Sequence, residues 1–216
     1  SIFRLVKRLN NASTYIFYHM IKEPGLILAP LFRLFGFYQT LWYSHNHGGL
    51  SLRYLDFLVD RVLTPTQNSY PIIRSKKVRV VGHGIDTKTF YLERATLKKD
   101  NRIFTVGRIS PVKRIEDLLY SMRNLSEQQR KIELFGPVGD ERYLSSLMEI
   151  AKKEYIDFQY HGSIPHSEIS EVFKGGGIYF MGSPKTLDKA AVQAAMCGCL
   201  VVSRDNEALN ALGMHD

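Results

Sequence analysis

Residues 102–119, which read RIFTVGRISPVKRIEDLL, decide the fold. The apolar run Ile103–Val106 has the length of a buried strand and ends at a glycine, and Ile115–Asn124 then has the spacing of an amphipathic helix. A buried strand, a glycine-containing loop and a helix form the repeating unit of parallel α/β sheets. The stretch predicts such a unit, with its chemistry in the loop at the carboxyl end of the strand.

The same alternation extends in both directions from this stretch. On the N-terminal side we expect strands at Tyr15–Met20, Tyr38–Ser44, Arg61–Thr66 and Val78–Val81, and helices at Leu26–Phe35 and Leu50–Val59. On the C-terminal side we expect strands at Ile132–Phe135, Phe158–His161, Ile178–Met181 and Leu200–Ser203, and helices at Arg142–Glu154, His166–Lys174, Asp188–Met196 and Asn206–Leu212. Near-continuous apolar strands of this kind predict parallel sheets that are covered on both faces.

The distribution of charge suggests two domains. Residues 1–90 contain 12 Lys/Arg and 4 Asp/Glu, whereas residues 91–216 contain 17 of each. With a polar linker at Tyr91–Asp100, the predicted domains are residues 1–92 and 93–216. The basic first half suits nucleic acid, a membrane surface or an anionic substrate, or is simply a solvated basic face.

Cysteine content and hydropathy limit the location of the protein. Cys197 and Cys199 have no second pair, so they indicate neither a disulfide framework nor a zinc site. The opening residues lack the apolar core of a signal peptide, and the longest apolar stretch, residues 25–37, is too short to span a bilayer. A cytoplasmic protein is predicted, with peripheral association at the membrane as the alternative.

The loop after the first quoted strand carries two cations, Arg108 and Lys113. Fixed cations at the carboxyl edge of a sheet suit a diphosphate, whose negative charge increases when it departs as a leaving group. Two solvated basic residues before a helix are the alternative interpretation.

Five segments, in order, resemble group 1 glycosyltransferases, the retaining, nucleotide-sugar-dependent family 4 of the GT-B fold. They are VVGHGIDTKTF (80–90), VGRISPVKRIEDLL (106–119), ELFGPVGDERYLSSL (133–147), FQYHGSIPHSEISEVF (158–173) and SPKTLDKAAVQAAMCGCLVVSRDNEA (183–208). The resemblance implies two Rossmann-like domains, the first incomplete at its N-terminus and the second without its final helices, so that the chain is expected to be a fragment.

The resemblance also implies roles for individual residues. Arg108 and Lys113 match the basic pair that holds the donor diphosphate. His45, after a strand end in the first half, matches a histidine that faces the donor, and His47 is the second choice for this role. The expected substrate-binding residues are Gly136 and Ile164 near the base, Lys185, Thr186, Leu187 and Asp188 at the start of the signature helix, and Gln193 at the ribose.

Two departures from the family pattern concern the signature glutamates, whose positions are occupied by Lys185 and Gln193. Gln193 can still form hydrogen bonds, whereas Lys185 cannot accept one; Asp188 could take over that role. A non-catalytic protein that binds sugar nucleotides therefore stays a rival to a hexosyltransferase.

The resemblance implies transfer from a nucleotide-sugar to a glycan or lipid-linked acceptor in cell-envelope synthesis. No metal or other cofactor is expected, because Arg108 and Lys113 would stabilise the charge that a metal otherwise balances. No complete G-x-G-x-x-G dinucleotide motif and no nucleic-acid-binding motif is found, so neither an NAD enzyme nor nucleic-acid binding is predicted.

Overall fold

The computed structural model describes residues 14–20, 23–72, 75–92, 102–184 and 187–213. The chain forms two compact units, which divide between Gly82 and His83. This division comes earlier than the boundary after residue 92 that the sequence suggested, and most of the expected linker lies outside the described residues.

In its described residues the N-terminal unit is a four-stranded parallel sheet in the order β1-β2-β3-β4, with two α-helices. Its elements are β1 (Tyr15–His19), α1 (Glu23–Leu34), β2 (Tyr38–Trp42), α2 (Leu50–Leu58), β3 (Arg61–Thr64) and β4 (Val78–Val80). Leu41 and Val62 from the sheet and Leu52 and Leu55 from α2 are buried together in its core. The three-residue spacing of the buried leucines brings them to one face of the helix.

The C-terminal unit is a five-stranded parallel sheet. Its elements are β5 (Ile103–Val106), α3 (Ile115–Ser121), β6 (Lys131–Phe135), α4 (Glu141–Lys153), β7 (Asp157–Tyr160), α5 (Ile169–Lys174), β8 (Ile178–Met181), α6 (Lys189–Met196), β9 (Leu200–Ser203) and α7 (Asn206–Ala211). The predicted α/β class with parallel sheets is confirmed in both units.

Both faces of the second sheet are covered. Phe104 packs with α5 and α6, whereas its neighbour Ile103 packs on the other face with α3 and α4. Alternate side chains of a strand point to opposite faces, which explains why all four residues of β5 are buried and apolar or β-branched.

Element boundaries differ from the prediction at several ends. The predicted helix at 115–124 is α3 followed by a 3₁₀ turn at Met122–Asn124, and α5 begins at Ile169 rather than at residue 166. Residues 166–168 instead form a turn, in which the Glu168 amide donates to the Pro165 carbonyl. The predicted strand at 38–44 ends at Trp42.

Strand order fixes the place where ligands can bind. The C-terminal sheet has the strand order β7-β6-β5-β8-β9. The chain adds β6 and β7 on one side of β5 and then crosses over to add β8 and β9 on the other side, so the switch point lies between β5 and β8. In open α/β sheets the crevice at this switch point lies outside the carboxyl ends of the two strands. Residues 107–114 leave the sheet there after β5 and residues 182–184 leave it after β8, and residues 187 and 188 lead into α6.

Candidate functional site

The two loops at the switch point meet through an ion pair. Lys113 Nζ, at the end of the loop after β5, lies 2.5 Å from Asp188 Oδ2, directly before α6. Both side chains are about four-fifths buried, at 18% and 20% exposure. The predicted site residues Lys113 and Asp188 are therefore brought into direct contact although 75 positions separate them.

Glycines allow this close approach. Gly107 has a φ of +137°, which disfavours other residues, and a Cβ there would lie 3.6 Å from the Lys113 ammonium. A Cβ on Gly182, after β8, would lie 2.1 Å from the Lys113 carbonyl oxygen. Any side chain at Gly182 would force the loops apart and displace the cation.

Asp188 occupies the N-cap position of α6 without capping it. Its backbone is extended, and its side chain accepts no hydrogen bond from the first turn of the helix. The carboxylate instead binds Lys113, and Ser183 Oγ lies 3.3 Å from the same oxygen. Aspartate at this position ordinarily accepts from the second or third amide of the helix.

Arg108 is placed differently from Lys113. It is exposed, its side-chain stem lies against Gly139, and a Cβ on that glycine would be 2.6 Å from Arg108 Cδ. Within the described ranges its guanidinium has no hydrogen-bond or ion-pair partner. Arg108 is thus a solvent-facing cation in the same loop as the paired Lys113.

Leu187 and His83 form a contact that sequence reasoning missed. The Leu187 side chain is buried in the core, so only its backbone is accessible to a ligand, and its carbonyl oxygen lies 2.7 Å from His83 Nε2. The sequence resemblance assigned no role to His83. A histidine in a turn gives no local signal that it will reach a residue 104 positions away.

Three other predicted residues lie around the same sheet edge. The Gly136 amide donates to the Gly162 carbonyl and its own carbonyl accepts from the Tyr160 hydroxyl, at 2.7 and 2.9 Å. Ile164 is partly buried against the core. Gln193, on α6, is 4% exposed, and its side-chain amide forms no hydrogen bond with another described residue.

Lys185 and Thr186, which were also predicted as substrate-binding residues, lie outside the described residues. Among the described residues no three His, Cys, Asp or Glu side chains gather as a possible metal site. The predicted roles of all the site residues stay predictions, as does metal independence.

Beside Lys113 the C-terminal unit contains a cavity of about 410 Å³. It is lined by Arg114, Gly182, Pro184, Arg204, Asp205 and Asn206. Arg114 and Arg204 both pair with Asp117 Oδ2, at 3.0 and 2.5 Å, so their charges are partly neutralised. The charged side chains that line this cavity are of both signs, because the lining includes Asp205 as well as the two arginines.

A buried tyrosine lies beneath the ion pair. The Tyr179 hydroxyl donates to the Val106 carbonyl at 3.2 Å. Burial, and secondarily the nearby Asp188 carboxylate, raises the pKa of Tyr179 well above its ordinary value. The phenol therefore stays neutral and serves as a fixed hydrogen-bond donor at the end of β5.

His45 lies in the N-terminal unit, on the loop that follows β2. It is exposed, and its ring makes an edge contact with the buried Tyr43, with centroids 6.0 Å apart. The Tyr43 hydroxyl donates to the His47 carbonyl, which anchors the same loop, and burial raises the pKa of Tyr43. His45 is thus presented at the carboxyl edge of its sheet by a buried aromatic residue.

Several solved structures share this fold. Anabaena HepE, crystallised with UDP and glucose, is 16% identical with a TM-score of 0.73, and the match covers 97% of this chain and 64% of HepE. A glycosyltransferase from Rickettsia africae is 13% identical with a TM-score of 0.70, over 97% and 62%. The catalytic domain of starch synthase IV from Arabidopsis thaliana, bound to ADP and acarbose, is 11% identical with a TM-score of 0.66, over 91% and 57%.

These likenesses show the GT-B fold, with two Rossmann-like domains, and the chain spans less than two thirds of the length of each of these proteins. No curated protein sequence matches the chain. The model of the family described as "Glycosyl transferases group 1" matches residues 88–211, more than half of the 216 residues. The chain belongs to the group 1 glycosyl transferases.

Proposed function

We propose that this protein transfers a hexose from a nucleotide-sugar to an acceptor hydroxyl with retention of configuration, in the synthesis of a cell-envelope glycan or glycolipid. The observation that carries the proposal is the meeting of Lys113 with the start of α6 at the switch point of the C-terminal sheet. Family membership supports the reaction class. Retention and assignment to family 4 rest on the sequence resemblance.

Lys113 and Arg108 supply the charge that this reaction requires. When the bond between the anomeric carbon and the diphosphate breaks, its electron pair stays on the phosphate oxygen, and nearby cations stabilise that oxygen. The Lys113 ammonium lies close to Gly107, and Arg108 is exposed to solvent on the same loop. The two cations would thereby make a metal ion unnecessary.

His45 and Gln193 complete the proposed machinery. His45 would hydrogen-bond the donor sugar, which its exposure at a strand end supports. Gln193 would bind the ribose through its amide, which has no partner among the described residues. Leu187 and Asp188 would contribute through the backbone at the start of α6, where free amides favour phosphate.

UDP is the first donor nucleotide to test, because HepE was crystallised with UDP; the ADP in starch synthase IV makes ADP the second. Calorimetric titration of the protein with UDP and ADP should detect binding of one of them, and Lys113→Ala should abolish most of it. Turnover is measured as release of UDP from UDP-glucose with added acceptor glycans. Unchanged affinity in Lys113→Ala would contradict the proposed site.

A second candidate, a protein that binds sugar nucleotides without transferring sugar, is favoured by one observation. The two signature glutamates are replaced by Lys185 and Gln193. This second candidate predicts that the protein binds UDP tightly but does not liberate UDP from a nucleotide-sugar with any pair of donor and acceptor. Recovery of turnover in a Lys185→Glu, Gln193→Glu double variant would identify the wild-type chain as this non-catalytic form.

We also propose that the N-terminal unit contacts an anionic membrane surface, where a lipid-linked acceptor would be found. Leu50, Tyr54 and Phe57 follow one another along the outer side of α2 and are 83%, 44% and 77% exposed. The residues up to Gly82 contain 11 Lys/Arg and 3 Asp/Glu. Apolar and aromatic side chains beside excess basic charge suit a lipid interface. None of the described helices is long and apolar enough to cross a bilayer.

Co-sedimentation with vesicles tests this contact. Vesicles that contain phosphatidylglycerol should bind the protein and pure phosphatidylcholine vesicles should not, and the double variant Leu50→Ser, Phe57→Ser should lose most of the binding. The matched control is Met148→Ser, Tyr155→Ser in the C-terminal unit, where these side chains are 54% and 77% exposed. Equal losses in the two double variants would contradict the assignment to α2.

A further inference from the structure

Asp188 already binds Lys113, the cation that the proposed function assigns to a phosphate. Its Oδ2 lies 2.5 Å from the Lys113 ammonium and 3.3 Å from the Ser183 hydroxyl. It stands directly before Lys189, the first residue of α6, and does not cap that helix. A carboxylate can only accept hydrogen bonds, as can a phosphate oxygen, so the two anions compete for the same donors.

The burial of the pair determines how strongly it competes. Lys113 is 18% exposed and Asp188 is 20% exposed, so the pair is neither a solvated surface contact nor a fully buried one. A partly buried pair is strong enough to neutralise Lys113, and water can still reach it and replace its contacts when another anion arrives.

We propose that Asp188 is an internal anion that competes with the donor diphosphate for Lys113. The inference rests on the proposed function, since it requires the donor diphosphate to bind at Lys113. Donor binding displaces the carboxylate, and the ion pair forms again when the nucleoside diphosphate departs. Asp188 thereby weakens the binding of the diphosphate product and speeds its release.

A purely structural role for the same ion pair makes the opposite prediction. If Asp188 only held the loop at 107–114 against the start of α6, its removal would leave Lys113 less ordered, and diphosphate binding would weaken. If Asp188 competes with the ligand, its removal leaves Lys113 with an unopposed charge, and binding becomes tighter. The sign of the change in affinity separates the two roles.

The experiment is a calorimetric titration of the whole chain with UDP and with inorganic pyrophosphate. Asp188→Asn keeps the shape of the side chain and removes its charge, so both probes should bind roughly tenfold more tightly, between the effects known for exposed and buried ion pairs. Asp188→Glu restores the charge and should return affinity toward the wild-type value. The gain should shrink at high salt, because screening weakens the contact that was removed.

Two controls show whether the effect acts through Lys113. In a Lys113→Ala background, Asp188→Asn should tighten binding by a smaller factor than in the wild type, because the competition for Lys113 has been removed and only the repulsion between the carboxylate and the diphosphate remains. Glu154→Gln removes a carboxylate from the same unit, where it pairs with Arg123 at the C-terminal end of α4, away from the switch point. It should leave binding of both probes unchanged.

Three results would overturn the inference. Weaker or unchanged binding by Asp188→Asn, while Lys113→Ala loses binding, would remove the internal anion and leave the proposed donor site standing. Tighter binding of UDP without tighter binding of pyrophosphate would place the effect at the nucleoside instead of at the diphosphate. Failure of the wild type and of Asp188→Asn to bind either probe would overturn both this inference and the proposed function.

Discussion

Both units alternate strands with helices, but they differ in the side chains that their helices expose to solvent. In the C-terminal unit, α4 buries Leu144 and Leu147, and its exposed residues, such as Arg142 and Glu149, are polar except for Met148. In the N-terminal unit, α2 buries one set of leucines and also exposes large apolar side chains. A helix that covers one face of a sheet ordinarily has a polar outer side. The difference teaches that the fold of a unit and the chemistry of its surface are set by separate positions in the sequence.

Charge separates the units in the same way. The residues up to Gly82 carry the entire net charge of +8, and from His83 onward the 18 Lys/Arg are balanced by 18 Asp/Glu. Yet the candidate diphosphate site lies in the neutral unit, where individual cations are fixed by loops. Position and local pairing, rather than total charge, identify a binding site for a small anion.

The largest expected effects test whether the units are independent. Phe104→Ala removes a buried ring from the C-terminal core and should cost about 3–5 kcal/mol, and Leu55→Ala should cost about 2–5 kcal/mol in the N-terminal core. The single tryptophan, Trp42, lies in β2, so its fluorescence reports on the N-terminal unit alone. In urea, Phe104→Ala should shift the circular dichroism transition and leave the fluorescence transition in place; Leu55→Ala should shift the latter. Coincident shifts of both probes in each variant would show a single cooperative unit.

The next largest effect separates fixed cations from total charge. Arg108→Ala and Lys113→Ala should each weaken UDP binding by about 1.5–3 kcal/mol, the value of a charge-assisted hydrogen bond. Arg53→Ala removes one charge from the exposed side of α2 and serves as the control, with no change expected. Calorimetry at low and high salt measures all three. A loss in Arg53→Ala equal to that in Lys113→Ala would mean that net charge governs binding.

A smaller effect concerns the neutral partner of the proposed site. Gln193→Ala should weaken UDP binding by about 0.5–1.5 kcal/mol, as expected for neutral hydrogen bonds to ribose. Gln193→Glu should tighten binding of UDP but not of pyrophosphate, which has no ribose. Because Gln193 is buried, a thermal melt of each variant must first establish that the C-terminal unit is folded. Equal changes for UDP and pyrophosphate would exclude the ribose role.

The smallest expected effect concerns the outer side of α2. Leu50→Ser and Phe57→Ser should each change the stability of the N-terminal unit by no more than about 0.5 kcal/mol, because these side chains are exposed. Urea unfolding followed by Trp42 fluorescence measures this change, with Leu55→Ala as the buried counterpart on the same helix. A loss above about 1 kcal/mol for Phe57→Ser would show that the residue packs within the unit and is no free surface.

Most of the elements could be predicted from the sequence. The strands β5, β8 and β9 have the predicted ends, because a short apolar run between turn residues has few alternatives inside an α/β pattern. The helix ends that depended on loop packing were predicted less accurately. Residues 166–168 form a turn after Pro165, so α5 begins later along the chain than predicted. The family resemblance led to the correct fold, although each segment alone matched only weakly.

The sequence by itself determined which residue types stand in the loops at the ends of the strands, and so identified Arg108, Lys113 and the segment before α6 as candidates. Only the tertiary structure decided what these side chains contact. Lys113 pairs with Asp188 and His83 binds the Leu187 carbonyl, and in both contacts the partners are distant along the chain. The burial of the Leu187 side chain likewise depends on layers that are distant along the chain. The physical reason is that local propensities fix the order of strands and helices, whereas strand order in the sheet and close backbone approach at glycines fix which loops meet.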